Sequence, residues 1–547
     1  MNPELAARAA AWAAADPDED DRAAVVDLLE AGEESALEQL FAAPLRFGTA
    51  GLRGPVRPGP AGMNRATVRR ATQGVAAWLG ESGADLAAGV VVGRDARRGS
   101  ESFNDEVVGA LLGAGVAVHE MPGPLPTPLV PFAVTALGAA AGVMVTASHN
   151  PPEDNGYKLY AGDGAQIVPP TDEIVERYMG EAGPTELASR DSPLHRVVTA
   201  ALLARYRDHL VGRFASATSG LRIAYTPLHG VGGATALDLL SRAGHRRVAV
   251  VERQFAPDGA FPTVTFPNPE EPGALDLAFA TAAETDADLI LANDPDADRL
   301  GVAVREGSGY RVLRGDEVGW LLGADLLEDS AAPGDAVAAS LVSSTMLAKM
   351  AAAAGVRHVT TLTGFKWIAR AARPGVLRFG YEEALGYAVD PFVADKDGIS
   401  AALALAGLAE RLRARGSTLA TRLDELEQRF GVHAGAQLSI RLSGPDAAVR
   451  IAERVSALRA EPPSKLGGVT VSAVDDLARG WRGLPPTDGL YLHLGDLGRV
   501  VVRPSGTEPK LKCYLEVTPG PGDLVTQRAR AAEVLDALRV DLEARLA

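Results

Sequence analysis

The chain contains the run Val90-Val91-Val92-Gly93-Arg94-Asp95, an apolar strand pattern that ends in a glycine and two charged residues. An Ala/Leu-rich helix with Ser100 as a potential N-cap follows it, and then a second apolar strand at 116–118. A strand, a loop, a helix and a second strand in this order are typical of an α/β domain. Residues 90–118 therefore predict one α/β unit.

The same order of elements occurs twice more along the chain. A second copy begins at Leu221, and a third begins near Ala336, where residues 343–345 open the helix that holds Met346 and Met350. Starts near residues 90, 221 and 337 predict three α/β domains of similar plan.

The last hundred residues follow a different plan, with several strands before one long helix. The predicted strands are 437–442, 469–474, 500–502 and 511–517. This order indicates an α+β domain. The sequence thus predicts four domains, with boundaries at Gly-rich, Ala/Pro-rich or charged stretches. The predicted domains are 1–212, 213–328, 329–438 and 439–547.

The composition limits the class of protein. Lys and Arg number 54 against 70 Asp and Glu among 547 residues, a formal net charge of −16. Such a surface repels nucleic acid and anionic lipid, so an anionic ligand requires a local basic pocket. Cys513 is the only cysteine, which excludes intrachain disulfides and multi-Cys metal sites and favours a reducing compartment.

Nothing in the sequence predicts a membrane segment or an exported protein. No apolar stretch approaches the ~18 to 20 residues that a membrane span needs. The first forty residues are Ala-rich and acidic, unlike a secretion signal, and predict helices with a break at Asp16-Pro17. We therefore expect a cytoplasmic location.

A serine suited to phosphoryl chemistry follows the strand 143–145, in the run Thr146-Ala147-Ser148-His149-Asn150-Pro151. A serine at a strand exit is expected to be exposed. Its hydroxyl is a weak nucleophile that needs a neighbouring base or prior modification, and His149 and Lys158 are the local candidates. The Asn and Pro residues also fit simple turns, so the residues alone leave both interpretations open.

Three carboxylates follow the apolar strand 289–291, in the run Asp294-Pro295-Asp296-Ala297-Asp298-Arg299. In an extended loop, side chains at alternate positions face one way, so the three would converge. A divalent cation would offset their repulsion, and oxygen ligands suit Mg²⁺ better than zinc. An EF-hand is excluded, because its sixth and twelfth positions would be Arg299 and Arg305 instead of Gly and Glu. A solvated acidic turn remains the alternative.

Two loops have the composition of sugar or phosphate sites. Glu382 and Glu383, flanked by Gly and Tyr in 380–387, could hydrogen-bond vicinal hydroxyls of a sugar, or could belong to an ordinary loop at a helix start. The loop 503–512 offers backbone N–H groups, hydroxyls and an arginine to a phosphate. It could equally be a hairpin whose basic residues solvate an edge strand.

The arginine-bearing loop 46–54 could hold an anion or merely turn the chain. Taken together, the candidate loops supply a serine, a Mg²⁺-type triplet, a sugar-suited loop and a phosphate-suited loop. The last three fall in separate predicted domains. This combination indicates phosphoryl transfer at a cleft shared by the domains.

At these residues the sequence resembles the α-D-phosphohexomutase superfamily, the phosphoglucomutases and phosphomannomutases. The family's motifs occur in order from about residue 40 to the end: FGTAGLRG at 47–54, TASHNPPEDNGYKLY at 146–160, DPDADR at 294–299, GYEEALGY at 380–387 and RPSGTEPKLK at 503–512. The resemblance implies an α/β fold of four domains around a central cleft: three similar mixed α/β domains and a C-terminal α+β domain of TATA-box-binding-protein-like fold. It also implies a cytoplasmic isomerase of carbohydrate metabolism, monomeric or homodimeric, without nucleic-acid or membrane partners.

The resemblance further implies a mechanism. Ser148 carries a phosphoryl group, passes it to a sugar phosphate and recovers the other phosphate from the bisphosphorylated intermediate, which moves a phosphate between C1 and C6. A sugar 1,6-bisphosphate acts as activator. Mg²⁺, held by a phosphoserine oxygen and by Asp294, Asp296 and Asp298, acts as Lewis acid. Lys158 is the expected proton shuttle, with His149 close by.

The remaining residue roles follow from the same resemblance. Arg53, Arg299 and Lys158 are expected to balance the charge of the transferring group. The expected substrate-binding residues are Arg299, Lys366, Glu382, Glu383, Lys396, Arg503, Ser505, Gly506 and Thr507.

One position departs from the better-known glucose enzymes, because Ala384 stands where they have a serine. Strict glucose preference is therefore not expected, and the loop is more similar to the branch that includes phosphopentomutases and glucose-1,6-bisphosphate synthases. Those activities are the first alternative.

A non-catalytic sugar-phosphate sensor is disfavoured, because Ser148, Lys158 and the triplet are all present. An aspartyl phosphatase with Asp294 as nucleophile is disfavoured, because Asp298 stands where that class usually has a hydroxyl residue.

Overall fold

The computed structural model describes residues 1–48, 51–183, 185–216, 219–328, 334–373, 375–442, 447–504 and 510–546. The chain divides into two compact units. The first unit consists of residues 1–313 and 385–411, and the second consists of residues 314–384 and 412–547. Each unit therefore combines segments that are distant in sequence.

The helices and strands are numbered in chain order. The α-helices are α1 Pro3–Ala15, α2 Glu19–Ala31, α3 Glu34–Leu40, α4 Arg65–Glu81, α5 Ser100–Gly113, α6 Leu129–Leu137, α7 Thr171–Glu181, α8 Ala200–Phe214, α9 Gly233–Arg242, α10 Glu252–Phe255, α11 Asp276–Glu284, α12 Gly315–Glu328, α13 Met346–Ala354, α14 Phe365–Ile368, α15 Gly398–Ala414, α16 Leu419–Phe430, α17 Ala447–Ala460 and α18 Leu524–Leu546. Short 3₁₀ helices span Leu477–Arg479 and Gly495–Leu497.

The strands are β1 Leu52–Pro55, β2 Val90–Arg94, β3 Val118–Pro124, β4 Ala141–Val145, β5 Asp154–Ala161, β6 His195–Val197, β7 Arg222–Thr226, β8 Arg247–Val250, β9 Leu289–Asn293, β10 Leu300–Glu306, β11 Gly309–Val312, β12 Ala336–Ser340, β13 Arg357–Thr361, β14 Leu377–Glu382, β15 Gly386–Ala388, β16 Ala434–Arg441, β17 Lys465–Leu466, β18 Val469–Thr470, β19 Ala473–Asp476, β20 Leu490–His493, β21 Gly498–Pro504 and β22 Lys510–Val517. None of the described helices is both long and apolar enough to span a membrane.

The first sheet of the first unit has the strand order β1-β5-β4-β2-β3-β6. Strands β4, β2, β3 and β6 run parallel, whereas β5 pairs antiparallel with both β1 and β4. The β2 valines and every residue of β4 are buried, as expected of central strands in a parallel sheet. The carboxyl ends of these two strands lead into the loops that hold Asp95 and Ser148.

The second sheet of the first unit has the strand order β11-β10-β9-β7-β8. Strand β7 runs parallel to its neighbours β8 and β9, and β9 pairs antiparallel with β10. All five residues of β9 are buried. The turn between β9 and β10 carries Asp294, Asp296 and Asp298.

The N-terminal helices form where the sequence predicted them. Asp16 and Pro17 separate α1 from α2, and the Asp18 side chain caps α2 by accepting hydrogen bonds from the N–H groups of Asp20 and Asp21. Helices α1 to α3 pack around an apolar cluster of their own. Its buried members are Leu5, Ala9, Ala13, Val25, Leu37 and Phe41.

The second unit contains a parallel group of strands and an antiparallel sheet. Strand β12 lies between β13 and β14, parallel to both. The C-terminal sheet is antiparallel, with the order β16-β22-β21-β20-β19, and shares its buried core with residues of α17 and α18. The predicted α+β character of the last hundred residues is therefore confirmed.

The three predicted α/β starts are also confirmed. Strands β2, β7 and β12 are each followed by a helix, α5, α9 or α13, and then by a parallel neighbouring strand. The exact domain boundaries at 212, 328 and 438 stay a prediction.

Three local predictions were wrong. Ser100 is the first residue of α5 and not its cap; Gly99, in the left-handed region at φ 82°, takes the cap position, while the Ser100 hydroxyl donates to Asp95 at 2.6 Å. The strand predicted at 116–118 begins only at Val118. The strand predicted at 469–474 is two strands, because β18 pairs with β17 whereas β19 pairs with β20.

Candidate active site

Ser148 lies three residues after the end of β4 and is buried, contrary to the predicted exposure. Its φ of 56° lies in the left-handed region, which non-glycine residues seldom adopt. The Ser148 Oγ donates to Asp294 Oδ2 at 2.9 Å and accepts a hydrogen bond from Arg299 Nη1 at 2.6 Å. The hydroxyl is buried because it lies between a carboxylate and a guanidinium.

Arg97, which no sequence motif indicated, holds the Ser148 loop together. Its buried Nη1 and Nη2 atoms donate to four backbone carbonyl oxygens at 2.6–3.2 Å. The acceptors are Ser148, Asn150, Pro151 and Asp154. Arg97 also forms an ion pair with Asp95 at 3.4 Å and lies over the ring of Phe261 at 4.9 Å. The acceptors are 51 to 57 residues away, which is why no local pattern indicated these contacts.

Replacing Arg97 with methionine is expected to lower the free energy of unfolding by about 3–5 kcal/mol, because it leaves Asp95 and the loop carbonyls without their buried cation. Urea unfolding of the purified variant measures this loss. Arg94→Met is the matched control, since the Arg94 guanidinium pairs with the exposed Glu101, a contact worth about 0–1 kcal/mol, and donates one long hydrogen bond to Asp95 O at 3.4 Å. Equal losses of unfolding free energy in the two variants would contradict the conclusion that Arg97 stabilises the Ser148 loop.

The three carboxylates after β9 converge as predicted, although through a different geometry. One oxygen each from Asp294, Asp296 and Asp298 lies within 4.8 Å of the others, and all three residues are buried. The loop is a tight turn and not an extended segment, since Ala297 has a φ of 58° and its N–H donates to Asp294 O at 2.8 Å. The turn, and not strand-like alternation, brings the carboxylates together.

A glycine-rich loop between β7 and α9 supports this turn. Val231 N donates to Pro295 O at 2.8 Å. A Cβ atom on Gly230 would lie 2.4 Å from the Pro295 backbone, and one on Gly232 would lie 2.7 Å from the Ala297 Cβ. Glycine is therefore required at both positions for the two loops to approach this closely.

Buried cations surround the carboxylates. Lys158 Nζ lies 2.6 Å from both Asp296 Oδ2 and Asp298 Oδ2, and Lys396 Nζ lies 2.8 Å from Asp298 Oδ2. Lys396 thus contacts the acidic triplet, and its predicted contact with substrate stays a prediction.

The two ends of the triplet differ in their electrostatic surroundings. Burial, together with the charges of Asp296 and Asp298, raises the pKa of Asp294 to about 7. Burial also opposes ionisation of Asp298, but Lys158, Lys396 and Arg299 hold its pKa well below the ordinary value. An additional positive charge would therefore stabilise the ionised form of Asp294 more than that of Asp298.

The residues present fit a magnesium ion. The buried Oδ1 atoms of Asp296 and Asp298 have no hydrogen-bond partner among the described residues. Buried carboxylate oxygens without donors are unfavourable, and a hard divalent cation with oxygen ligands satisfies them. The triplet supplies oxygen ligands only, which suits Mg²⁺.

The other predicted catalytic residues lie beside Ser148 in the same unit. His149 Nδ1 is 2.5 Å from Arg299 Nη1. Arg53, on β1, donates through Nη1 to Asn150 Oδ1 at 3.2 Å. A further polar residue, Thr127, donates its hydroxyl to Asp296 and was not found from the sequence. Its only signal is a threonine enclosed by two prolines just after β3.

The residues predicted to bind sugar and the second phosphate lie in the second unit. Glu382 ends β14 and accepts a hydrogen bond from Gly364 N at 2.6 Å. Glu383 accepts hydrogen bonds from the hydroxyls of Ser340 and Ser343, both at 3.2 Å. Burial, with the nearby Glu382 and Asp316, raises the pKa of Glu383 to about 7.

Lys366 is buried in α14. The predicted phosphate loop connects β21, which carries Arg503, to the antiparallel β22. Ser505, Gly506 and Thr507 lie outside the described residues, so their predicted contacts stay predictions.

The chain matches all four domains of one family in order. Residues 44–184, 204–307 and 314–430 match the α/β/α domains I, II and III of phosphoglucomutase/phosphomannomutase, and residues 463–534 match its C-terminal domain. The chain belongs to the phosphoglucomutase/phosphomannomutase family. The predicted membership of the α-D-phosphohexomutase superfamily and the four-domain fold are thereby confirmed. Like its family, the protein is a phosphosugar mutase, an intramolecular phosphotransferase.

Relatives in this family carry several substrate names. The chain is 42% identical to the "Probable phosphomannomutase" of Haemophilus influenzae, over 83% of this chain and 93% of the relative. It is 34% identical to human phosphopentomutase, over 91% and 89% of the two chains, and 31% identical to a phosphoglucomutase of Staphylococcus aureus, over 91% and 94%. A solved family member from Burkholderia thailandensis shares the fold, with a TM-score of 0.68 at 22% identity over 91% of this chain and 97% of that one.

Proposed function

We propose that the protein moves a phosphoryl group between C1 and C6 of a hexose phosphate, glucose and/or mannose, through a phosphoserine at Ser148 and a sugar bisphosphate intermediate. The observation that carries this proposal is the pair of hydrogen bonds at the Ser148 hydroxyl. Its Oγ donates to Asp294 Oδ2 at 2.9 Å and accepts from Arg299 Nη1 at 2.6 Å. A phosphoryl group on this oxygen is thereby adjacent both to a cation and to carboxylates suited to a metal.

The fixed cations of the first unit bind and orient the transferring group. Arg299 already donates to the Ser148 oxygen, and its backbone N–H donates to Asp294 Oδ1 at 3.0 Å, so the guanidinium and the carboxylate are held in one frame. Arg53 is held beside the same loop by Asn150. Preorganised positive groups of this kind stabilise developing charge in phosphoryl transfer at little reorganisation cost.

Mg²⁺ bound by Asp294, Asp296, Asp298 and a phosphoserine oxygen would supply Lewis-acid activation of the phosphoryl group. We assign proton movement at the sugar hydroxyl to Lys158, whose ammonium group lies within the same cluster, with His149 as the second candidate. We assign the binding of the sugar hydroxyls to Glu382 and Glu383. Lys366, Arg503 and the loop 505–507 would bind the substrate and its second phosphate, and Lys396 would support it from the first unit.

A second candidate function is a phosphopentomutase or a glucose-1,6-bisphosphate synthase that uses the same residues. Two observations favour it: Ala384 removes a hydroxyl from the sugar loop, and relatives named phosphopentomutase match 91% of this chain at 34–35% identity. In either case, a sugar 1,6-bisphosphate is the proposed activator, because it can phosphorylate an unmodified Ser148.

We expect kcat/KM for glucose 1-phosphate or mannose 1-phosphate to exceed that for ribose 1-phosphate by at least about tenfold, or about 1.4 kcal/mol of transition-state stabilisation. The reason is that a hexose offers more hydroxyls to the paired glutamates. Coupled assays with each sugar, Mg²⁺ and a trace of bisphosphate measure this ratio. A reversed ratio would make pentose phosphate the substrate, and net accumulation of bisphosphate would favour the synthase.

A further inference from the structure

Thr127 lies between β3 and α6 and contacts the metal loop at two points. Its Oγ1 donates to Asp296 Oδ2 at 2.6 Å, and its backbone N–H donates to Asp296 O at 2.9 Å. Thr127 is fully buried. One residue therefore holds both the main chain and the carboxylate of Asp296, from a position 169 residues away in sequence.

Thr127 is itself held in place by its neighbours. Its carbonyl oxygen accepts a hydrogen bond from Val130 N at 3.0 Å, at the start of α6. Leu125 N donates to Arg94 O at 3.1 Å, which ties the segment to the end of β2. The hydroxyl of Thr127 is thus a donor on a rigid support and not a mobile surface group.

The two oxygens of Asp296 have different surroundings. Oδ2 accepts hydrogen bonds from Thr127 Oγ1 and from Lys158 Nζ, each at 2.6 Å. Oδ1 is buried and accepts no hydrogen bond from the described residues. Lys158 is shared with Asp298, and a lysine on a flexible stem does not define the plane of a carboxylate. The directional donor at Oδ2 is therefore Thr127.

We propose that Thr127 is a positioning residue of the metal site, whose hydroxyl orients the Asp296 carboxylate so that Oδ1 faces a divalent cation. The assignment rests on the proposed Mg²⁺ site. Groups that orient metal ligands in this way contribute to metal affinity without touching the metal. Thr127→Val removes the hydroxyl and nearly preserves the volume, so it separates this function from packing.

The test is calorimetric titration of the full chain with Mg²⁺. Thr127→Val is expected to raise the Kd for Mg²⁺ by about 10- to 100-fold, whereas Thr127→Ser, which keeps the hydroxyl, stays within about threefold of wild type. Thr135→Val is the matched control, since among the described residues the Thr135 hydroxyl donates only to backbone oxygens of its own helix. If Thr127→Val does not fold, Thr127→Ala replaces it in the same comparison.

Turnover gives a second readout. The Mg²⁺ concentration for half-maximal activity should rise in Thr127→Val, while kcat at saturating Mg²⁺ returns to within about threefold of wild type, because only ligand orientation is weakened. An unchanged Kd, or a kcat that Mg²⁺ does not restore, would overturn the inference while leaving the mutase proposal intact. Wild-type protein that binds no Mg²⁺ would overturn the inference together with the proposed metal site.

Discussion

Replacing Ser148 with alanine is expected to lower turnover of the preferred sugar phosphate by at least about 10³-fold, as the loss of a residue that carries a covalent intermediate does elsewhere. The oxygen that lies between Asp294 and Arg299 is removed, so no phosphoserine can form. A coupled assay measures the rate, and intact mass after incubation with sugar bisphosphate should show a phosphoryl group on wild type and none on the variant.

Ser102→Ala is the matched control for this substitution, because the one acceptor of the Ser102 hydroxyl among the described residues is the carbonyl oxygen of Gly99, at the N-terminal cap of α5. Its turnover should stay within about twofold of wild type, as surface substitutions away from a site usually have small effects. Undiminished activity in Ser148→Ala would contradict the phosphoserine mechanism and favour a phosphatase in which Asp294 is the nucleophile.

Removal of divalent cations is the second change with a large expected effect. EDTA should lower turnover by at least about 10³-fold, because Lewis-acid stabilisation of a phosphoryl group is worth several kcal/mol, and excess Mg²⁺ should restore it.

Asp294→Asn should reduce activity similarly and resist rescue by Mg²⁺, since an amide oxygen carries no charge. The coupled assay with and without added Mg²⁺ measures both effects.

Asp238→Asn is the control for the loss of a carboxylate, because Asp238 lies at the surface, where it forms ion pairs with Arg207 and Arg242. Its turnover should not change with the substitution, and its response to EDTA should equal that of wild type. If wild type retained its rate in EDTA, the positive charges of Lys158, Lys396 and Arg299 would be enough to balance the acidic triplet, and the proposed metal would be unnecessary.

The two wrong predictions at the site, an exposed Ser148 and an extended Asp294 loop, share a physical cause. Each follows from considering one loop by itself. The structure pairs the two loops, which buries the hydroxyl and turns the carboxylates inward. Backbone φ values of 56° at Ser148 and 58° at Ala297 make this possible, and propensity does not indicate such values for these residue types.

Arg97 and Thr127 were not found from the sequence for a related reason. Each makes most of its contacts outside its own segment: Arg97 with carbonyl oxygens after β4, and Thr127 with Asp296 after β9. A buried arginine and a buried threonine have no local signature, because their hydrogen-bond partners, and not their neighbours in sequence, determine what they do.

Apolar periodicity and short motifs are local properties, so the amino-acid sequence was enough to predict the three α/β repeats, the α+β C-terminal domain and the membership of the mutase family. The contacts of Ser148 with Asp294 and Arg299, of Lys158 and Lys396 with the triplet, and of Thr127 with Asp296 became evident only in the folded chain. The pairs Ser148 with Asp294, Lys158 with Asp296 and Asp298, and Thr127 with Asp296 are 138 to 169 residues apart in sequence. Their contacts exist because the two sheets of the first unit bring the ends of separate strands together, and such a meeting depends on packing and not on any one segment.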